Sequence, residues 1–577
     1  MLDNIVIDKL QTVSQSKMLW TSLLVLLASV ILVNCKDDYP KVKTTLGAIR
    51  GYYKKSENGK LYEAYEGIPY AYPPIGKLRF RPPKKIPAWT GELQATKVSD
   101  ACLQYIHIPA VENERVEGSE DCLYLNVYAP LRKADTSPLP VILWIHGGCF
   151  QFGTGNIYGS RYLADKDVIF VNINYRLGSL GFLSTEDEVV PGNMGLKDQS
   201  MALRWVYDNI EYFGGDPKKI TLTGLSAGGA SVHYHYLSPL SAGLFQNGIS
   251  FSGTALLCWA QTENAREKAK KLGALLGCPT DNTKDMIQCL RYRPARTVVQ
   301  ATSQFMPWLY NPYTPFGPVV ETSGKDYFIN KPPVELIASG DVQDVPWITG
   351  VVSEEGLYPV AEFITNKKHL KDLDDNWDLV AKYLLDYNYT LPKDKHAEVA
   401  EKIKKHYFGS KPIDRLNTRP LTLMVGDRLF LVDAEKAARK QAKVNKSPVW
   451  FYYYSHRAAD SLSDTMSGTK ENFGVSHGDD AFMVIESPYI NPTKTQEDVA
   501  LQRDLLNFWV SVATKGKPEL GTEWTEVNPT KKELNYLHIS GPGKYAMETN
   551  DNLGEKNLWN SIDFNENKLK GGSKEEL

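Results

Sequence analysis

The apolar run Ile220-Thr221-Leu222-Thr223 ends in Gly224-Leu225-Ser226-Ala227-Gly228 and passes directly into a helix-forming stretch, Ala227–Leu237. A strand that becomes a helix through G-x-S-x-G holds its serine on a sharp turn, and the glycines let backbone crowd there without Cβ clashes. The turn directs Oγ outward and sets it beside the positive end of the following helix, where a developing oxyanion is favoured. Such a chain must supply a strand that ends at a crevice and a helix that packs back onto its sheet. Chemistry at the serine needs three further parts: a base, an acid that orients it, and N–H donors for an oxyanion.

Apolar β-rich runs recur at Val141–His146, Val168–Asn174, Ile220–Thr223, Gly248–Phe251, Val345–Val352 and Val449–Tyr454. Helical patterns at Gln199–Asn209 and Ala227–Leu237 lie between them, and another, Val499–Thr514, comes late. This alternation predicts an α/β fold with a central mixed, mostly parallel sheet flanked by helices. Consecutive apolar residues within the strands fit burial on both faces. The chain has 577 residues, 42% hydrophobic and 23% charged, with no internal repeat and no long flexible linker. One domain over residues 36–565, with large loop and helix insertions, is therefore expected, followed by a charged tail at 566–577. The net charge of −2 argues against nucleic acid and anionic membrane as partners, and Lys402-Ile403-Lys404-Lys405 reads as a solvated helix face.

The N-terminus carries a compartment signal. Residues Leu19 to Val33 are almost wholly apolar, with Lys17 before them and Cys35-Lys36-Asp37-Asp38 after. That length fits a signal-peptide h-region within an extension at 1–35 and is short for a spanning helix. Met18 is an alternative start, and an uncleaved anchor is the competing reading; once the signal is removed, no stable membrane insertion is expected. The sequons Asn388-Tyr389-Thr390 and Asn445-Lys446-Ser447 fit a luminal glycoprotein, the second weakened by Pro448. Among seven cysteines, Cys102 with Cys122 and Cys278 with Cys289 bracket loops that disulfides would staple, leaving Cys35, Cys149 and Cys258. No CxxC or His/Cys cluster has zinc spacing, so neither metal nor cofactor is expected. Lys574-Glu575-Glu576-Leu577 resembles the ER-retention tetrapeptide with Glu at its second position. The expectation is the ER lumen if a retention receptor reads this tail and secretion otherwise; a charged tail ending in Leu by chance is the plain alternative.

With an elbow of this kind, the acid and then the histidine follow the serine in sequence. That order sets aside His107 and His146. His233 and His235 lie on the elbow helix and read as packed or exposed, while His369, His396 and His406 sit among lysines in solvated helical sequence. His456 ends a strand and His538 lies in the strand-like run Tyr536–Ile539. His477, in Gly474-Val475-Ser476-His477-Gly478-Asp479-Asp480, is the leading base, because glycines on both sides suit a loop that presents imidazole at a cleft. For the acid, Ser353-Glu354-Glu355-Gly356 follows the apolar run Pro346–Val352. A carboxylate just past a strand's C-terminal end belongs at the crevice of an open α/β sheet. Pattern alone leaves Glu354 and Glu355 open. The oxyanion donors are expected from Trp144-Ile145-His146-Gly147-Gly148-Cys149-Phe150, plus the amide of Ala227.

Together these segments resemble the type-B carboxylesterase/cholinesterase family, of α/β-hydrolase fold. The match includes Glu120-Asp121-Cys122-Leu123-Tyr124-Leu125-Asn126-Val127-Tyr128, His146-Gly147-Gly148, and Asn174-Tyr175-Arg176-Leu177-Gly178. It continues through Gly195-Leu196-Lys197-Asp198-Gln199, Phe213-Gly214-Gly215-Asp216-Pro217, the elbow, and Phe316-Gly317-Pro318-Val319-Val320, and spans about Val42 to Phe508-Trp509. It looks most like the insect esterases of the family. The resemblance implies Ser226 as nucleophile, Glu355 as acid and His477 as base, with oxyanion amides from Gly148, Cys149 and Ala227. It also supports disulfides Cys102–Cys122 and Cys278–Cys289 and suggests structural ion pairs, Arg79 with Glu120 and Arg176 with Asp198.

Departures from the family narrow the expected substrate. Leu225 stands where cholinesterases carry glutamate, and the Cys102–Cys122 loop has no tryptophan to hold a quaternary ammonium. Choline esters are thereby disfavoured. Juvenile hormone esterases typically carry glutamine before the serine, so Leu225 also counts against that role. Cys149 replaces a glycine or alanine, keeping the N–H while adding bulk. The implied activity is hydrolysis of small-molecule carboxylic esters through an acyl-serine, in broad-range detoxification or in lipid, hormone or odorant ester turnover. A specialised juvenile-hormone or odorant esterase is the alternative. A non-catalytic adhesion relative is the rival from another class, and the intact serine, glutamate, histidine and glycine loop argue against it.

Overall fold

The computed structural model describes residues 39–106, 115–131 and 137–569. Among these residues, eleven strands form one sheet. They are β1 (Tyr52–Lys55), β2 (Leu61–Pro69), β3 (Tyr124–Pro130), β4 (Leu139–Ile145), β5 (Ile169–Ile173) and β6 (Gly215–Leu225), then β7 (Asn247–Phe251), β8 (Trp347–Val352), β9 (Val449–Tyr454), β10 (Leu534–Gly541) and β11 (Lys544–Asn550). Their spatial order is β11-β10-β9-β8-β7-β6-β4-β5-β3-β2-β1. The run from β10 to β5 is parallel throughout, and β11, β3, β2 and β1 add antiparallel margins. This is the mixed, mostly parallel sheet that the alternation of elements predicts.

Burial explains which strands the sequence displays. Every residue of β4, β5, β7 and β8 is buried, so β4 reads as an uninterrupted apolar run and the other three as mainly apolar runs whose few polar residues, such as Asn172, Ser250 and Thr349, are buried as well. At the margin, β11 is Lys-Tyr-Ala-Met-Glu-Thr-Asn with no residue fully buried. Its polar, half-solvated sequence gives little apolar signal and suits an edge strand. The helix Ala227–Leu237 is buried along its whole length and lies close against the sheet. A Cβ on Gly229 would stand 2.8 Å from the Phe251 carbonyl of β7, and the Gly229 carbonyl accepts Ser250 Oγ at 2.9 Å. The late helix Gln496–Lys515 brings Trp509 onto Trp144 of β4 and Phe251 of β7, with ring centroids 6.0 and 5.0 Å away. Between β8 and β9 the chain inserts six α-helices, from Leu357–Thr365 to Val432–Val444.

Residues just past 565, where a charged tail is expected to begin, pack against the rest of the fold. Buried Glu566 pairs with Arg428 at 2.7 Å, and Asn567 donates to the Leu256 carbonyl at 2.7 Å. The Arg428 guanidinium also stacks 3.9 Å above the Phe564 ring. The chain is thus held in the domain at least through Asn567. The expected signal segment, Cys35 and the Lys574–Leu577 tetrapeptide lie outside the described residues. No helix among the described residues is long and apolar enough to cross a membrane.

Two histidines on the buried helix are expected to make the fold acid-sensitive. His233 Nε2 meets Gln441 Oε1 at 2.8 Å, and His235 Nε2 meets Gln199 Oε1 at 3.1 Å. Burial pushes them down to about 4 and about 3. A depressed histidine contributes stability that is fully present above its unfolded value of about 6.5 and lost as pH falls through the folded value. His233→Gln is therefore expected to flatten the decline of Tm between pH 6.5 and 4. A decline as steep as in the parent protein would place the acid sensitivity elsewhere.

Candidate active site

Ser226 directly follows the last residue of β6 and sits at φ 60°, ψ −122° ahead of the helix Ala227–Leu237. Its N–H donates to the Phe251 carbonyl of β7 at 2.8 Å, and its carbonyl accepts the Ala230 N–H at 2.8 Å. The flanking glycines are required by approach. A Cβ on Gly228 would lie 2.0 Å from the Ile145 carbonyl oxygen, and one on Gly224 would lie 2.4 Å from the Gly228 carbonyl carbon. Any side chain there would push the helix off β4 and relax the turn that presents Oγ.

Three residues past β8, the fully buried Glu355 accepts from His477 Nδ1 at 2.6 Å. Its other oxygen accepts the Val352 N–H at 2.9 Å and Ser252 Oγ at 2.5 Å. Glu354, left open by the sequence pattern, instead accepts the Val475 N–H at 2.9 Å and Arg419 Nη1 at 3.2 Å. Glu354 and Ser476 form an isolated parallel bridge, so the next residues along each strand segment, Glu355 and His477, fall side by side. The carboxylate fixes the proton on Nδ1 and leaves Nε2 as the basic ring atom. Nε2 is buried without a hydrogen-bond partner among the described residues, and His477 lines the same cleft as Ser226. The Phe430 and Tyr358 rings pack against the imidazole at 4.6 and 5.3 Å between centroids.

The glycine loop leaves β4 at His146. Gly148 has φ +109°, and a Cβ there would stand 2.0 Å from the Phe152 carbonyl oxygen. Cys149 also takes a left-handed φ of 54°, and its carbonyl accepts from Thr314 Oγ1 at 3.2 Å and Gln151 Nε2 at 3.3 Å. No hydrogen bond to another described residue uses the N–H of Gly148, Cys149 or Ala227. Burial pushes the Cys149 thiol up to about 12, which keeps it protonated. The cleft of about 130 Å³ is lined by Ser226, His477 and the Gly147-Gly148 backbone, with walls that include Phe152, Leu225, Tyr358, Leu462, Met466 and Phe482. Among the described residues, no Asp, Glu, Lys or Arg lines it.

Elsewhere the remaining expectations take their places. Cys102–Cys122 and Cys278–Cys289 are disulfides with Cα atoms 4.9 and 5.7 Å apart, and Cys149 and Cys258 are free and buried. Arg79 meets both oxygens of Glu120 at 2.6 and 2.7 Å, and Arg176 meets both oxygens of Asp198 at 2.7 Å. His146 stacks on Tyr175 at 4.4 Å, and burial pushes it down to about 4. His456 meets Asp498 at 3.3 Å, and His538 lies between Ser455 and Glu548; neither lines the cleft. His396 departs from its solvated expectation: it is buried, 3.1 Å from the Leu391 carbonyl. Asn388 is half-buried beside exposed Tyr389, whereas the Asn445 side-chain nitrogen is buried, which opposes a glycan there.

Sequence reasoning passed over Ser252 and Asp479. Ser252 follows β7 at φ 48° and donates to Glu355. Asp479 accepts the Ser476 N–H at 2.8 Å and the Leu462 N–H at 2.9 Å, and burial pushes it up to about 7. The only sequence signal was two consecutive acids after His477-Gly478.

Comparison with known proteins supports the same frame. The chain is 57% identical to venom carboxylesterase-6 of Apis mellifera, over 92% of this chain and 95% of that one. It is 55% identical to a carboxylic ester hydrolase of Bombus ignitus, over 93% and 96%. The crystal structure of juvenile hormone esterase from Manduca sexta, with OTFP covalently attached, superposes with a TM-score of 0.79 at 28% identity, covering 91% of this chain and 99% of that one. The carboxylesterase family model matches residues 38–559, and the chain belongs to that family.

Proposed function

We propose that the protein is a serine carboxylesterase that cleaves uncharged, apolar carboxylic esters through an acyl-serine intermediate, with Ser226, His477 and Glu355 as its catalytic residues. One observation carries the reading. The buried Glu355 takes Nδ1 of His477, leaving Nε2 unpartnered in the cleft that Ser226 lines. In this role Nε2 takes the Ser226 proton as Oγ attacks the ester carbonyl. Glu355 holds the ring and stabilises the imidazolium without taking the proton itself. The carbonyl oxygen, now anionic, is received by the N–H groups of Gly148, Cys149 and Ala227. Collapse of the tetrahedral species returns the proton from Nε2 to the departing alcohol. His477 then activates water to release the acid from the serine.

The walls favour apolar esters because the described lining residues offer no Asp, Glu, Lys or Arg to a charged group entering the cleft. Leu225 forms part of that lining, at the position before the serine. Two disulfides support a route through the secretory pathway, ending in the ER lumen or outside the cell. The catalytic domain is proposed to extend through residue 569.

Ser226→Ala is expected to abolish covalent labelling by a fluorophosphonate probe and to lower turnover on the order of 10³-fold or more, with His477→Gln close behind. Labelling of the Ser226→Ala protein equal to that of the parent would refute the assignment. In the secreted protein, glycan mapping is expected to find Asn388 occupied and Asn445 bare; occupancy of Asn445 would contradict the burial of its amide nitrogen.

A further inference from the structure

We infer that Asp479 is a positioning residue that ties the loop bearing His477 to the wall of the substrate cleft, so that what fills the cleft governs how well the base is aligned. The inference rests on the esterase reading above. Asp479 is buried two residues past His477. Its Oδ2 accepts the N–H of Ser476, the residue before the histidine, at 2.8 Å, and its Oδ1 accepts the N–H of Leu462 at 2.9 Å. Leu462 opens the helix Leu462–Ser467, from which Leu462, Thr465 and Met466 line the cleft. A first-turn N–H has no partner within its own helix, so the carboxylate completes a helix end that would otherwise be buried unsatisfied.

Two features make this more than a cap. Ser461 and Asp464 already form a capping box at this helix, so the helix start has its own local device. The second N–H that Asp479 holds belongs to Ser476, which bridges to Glu354 and so sets the register of His477 against Glu355. One carboxyl group therefore fixes both the His477 loop and the pocket wall, each through one of its oxygens. An acyl or alcohol group pressing on Met466 or Thr465 moves the helix, and the shared carboxylate carries that movement to Ser476. The signature is selectivity for ester size expressed in kcat.

The test uses the full-length protein with acetyl and longer-acyl esters. Asp479→Asn keeps the volume but turns an NH2 group toward one of the two N–H donors, cutting one bond. The expected result is a loss of about tenfold in kcat, with KM for the acetyl ester within about threefold and the acid limb of the pH profile displaced. Leu462→Pro cuts the Leu462 bond from the other side and decides the matter if Asp479→Asn does not fold. Proline is tolerated at the first helical position, and the extended Ser461 (φ −145°, ψ 154°) accepts a following proline. It is expected to lower kcat and displace the acid limb in the same direction. In a Met466→Ala background, the Asp479→Asn loss is expected to shrink more for the longer acyl ester than for the acetyl ester. Equal, additive losses for all esters would reduce Asp479 to a structural cap and overturn the inference. Fluorophosphonate labelling separates the two levels of the argument. An unlabelled parent protein refutes the esterase reading; a labelled parent whose folded variants match its labelling rate and pH profile overturns this inference alone.

Discussion

The hydrogen bond from His477 Nδ1 to Glu355 Oε2, 2.6 Å long between residues 122 positions apart, depends on how the whole sheet is ordered. A fully buried carboxylate loses its hydration and must regain it from fixed donors. Glu355 gains three: His477, the Val352 N–H from the end of β8, and Ser252 Oγ from the end of β7. Ser226 leaves the neighbouring β6 and is itself tied to β7 through the Phe251 carbonyl. Three adjacent parallel strands thus deliver serine, acid and support at one edge, the carboxyl edge where open α/β sheets bind ligands. A different strand order would separate these groups even with every local turn intact.

What was legible in the sequence was local. The central strands announce themselves because burial on both faces leaves only isolated polar residues among apolar ones, and Ala227–Leu237 is read to the residue because a glycine turn starts it. The base loop shows as a histidine between glycines. What stayed hidden was long-range. By pattern alone Glu354 and Glu355 look alike beyond β8, and only the family resemblance favours Glu355; the physical reason is a bridge to Ser476, a pairing across more than a hundred residues that no spacing encodes. Ser252 and Asp479 are single polar residues in loops and carry no periodic signal. The antiparallel margins β1 and β11 are less legible for a related reason: none of their residues is buried.

The buried ion pairs show how charges near a site can be structural. Arg79 spends its remaining donors on the carbonyls of Leu290, Arg291 and Arg293, at the end of the helix that carries Cys289. Arg176 adds the Arg81 carbonyl at 2.8 Å to its pairing with Asp198. Desolvation makes such pairs poor sources of net stability, but removing one partner leaves an uncompensated buried charge. Their consequence is geometric. The segment 79–81 is pinned between two distant parts of the chain, which brings the helix of the second disulfide against the loop closed by the first.

Leu225 can be understood in the same electrostatic terms. It is buried at the end of β6, lines the cleft, and stands 3.0 Å from where a Cβ on Gly478 would be, so it packs against the base loop itself. That loop already carries Asp479 and Asp480 beside Glu355. Burial pushes Asp480 up to about 6 with further upward pressure from the Glu355 charge, and Tyr452 Oη donates to it at 2.5 Å. A glutamate at position 225 would add a fourth acidic group to this buried corner, with no Lys or Arg among the described lining residues to balance it. An apolar residue before the serine and paired acids after the histidine therefore belong together. The leucine spares the His477 loop a competing charge and keeps that part of the cleft wall apolar.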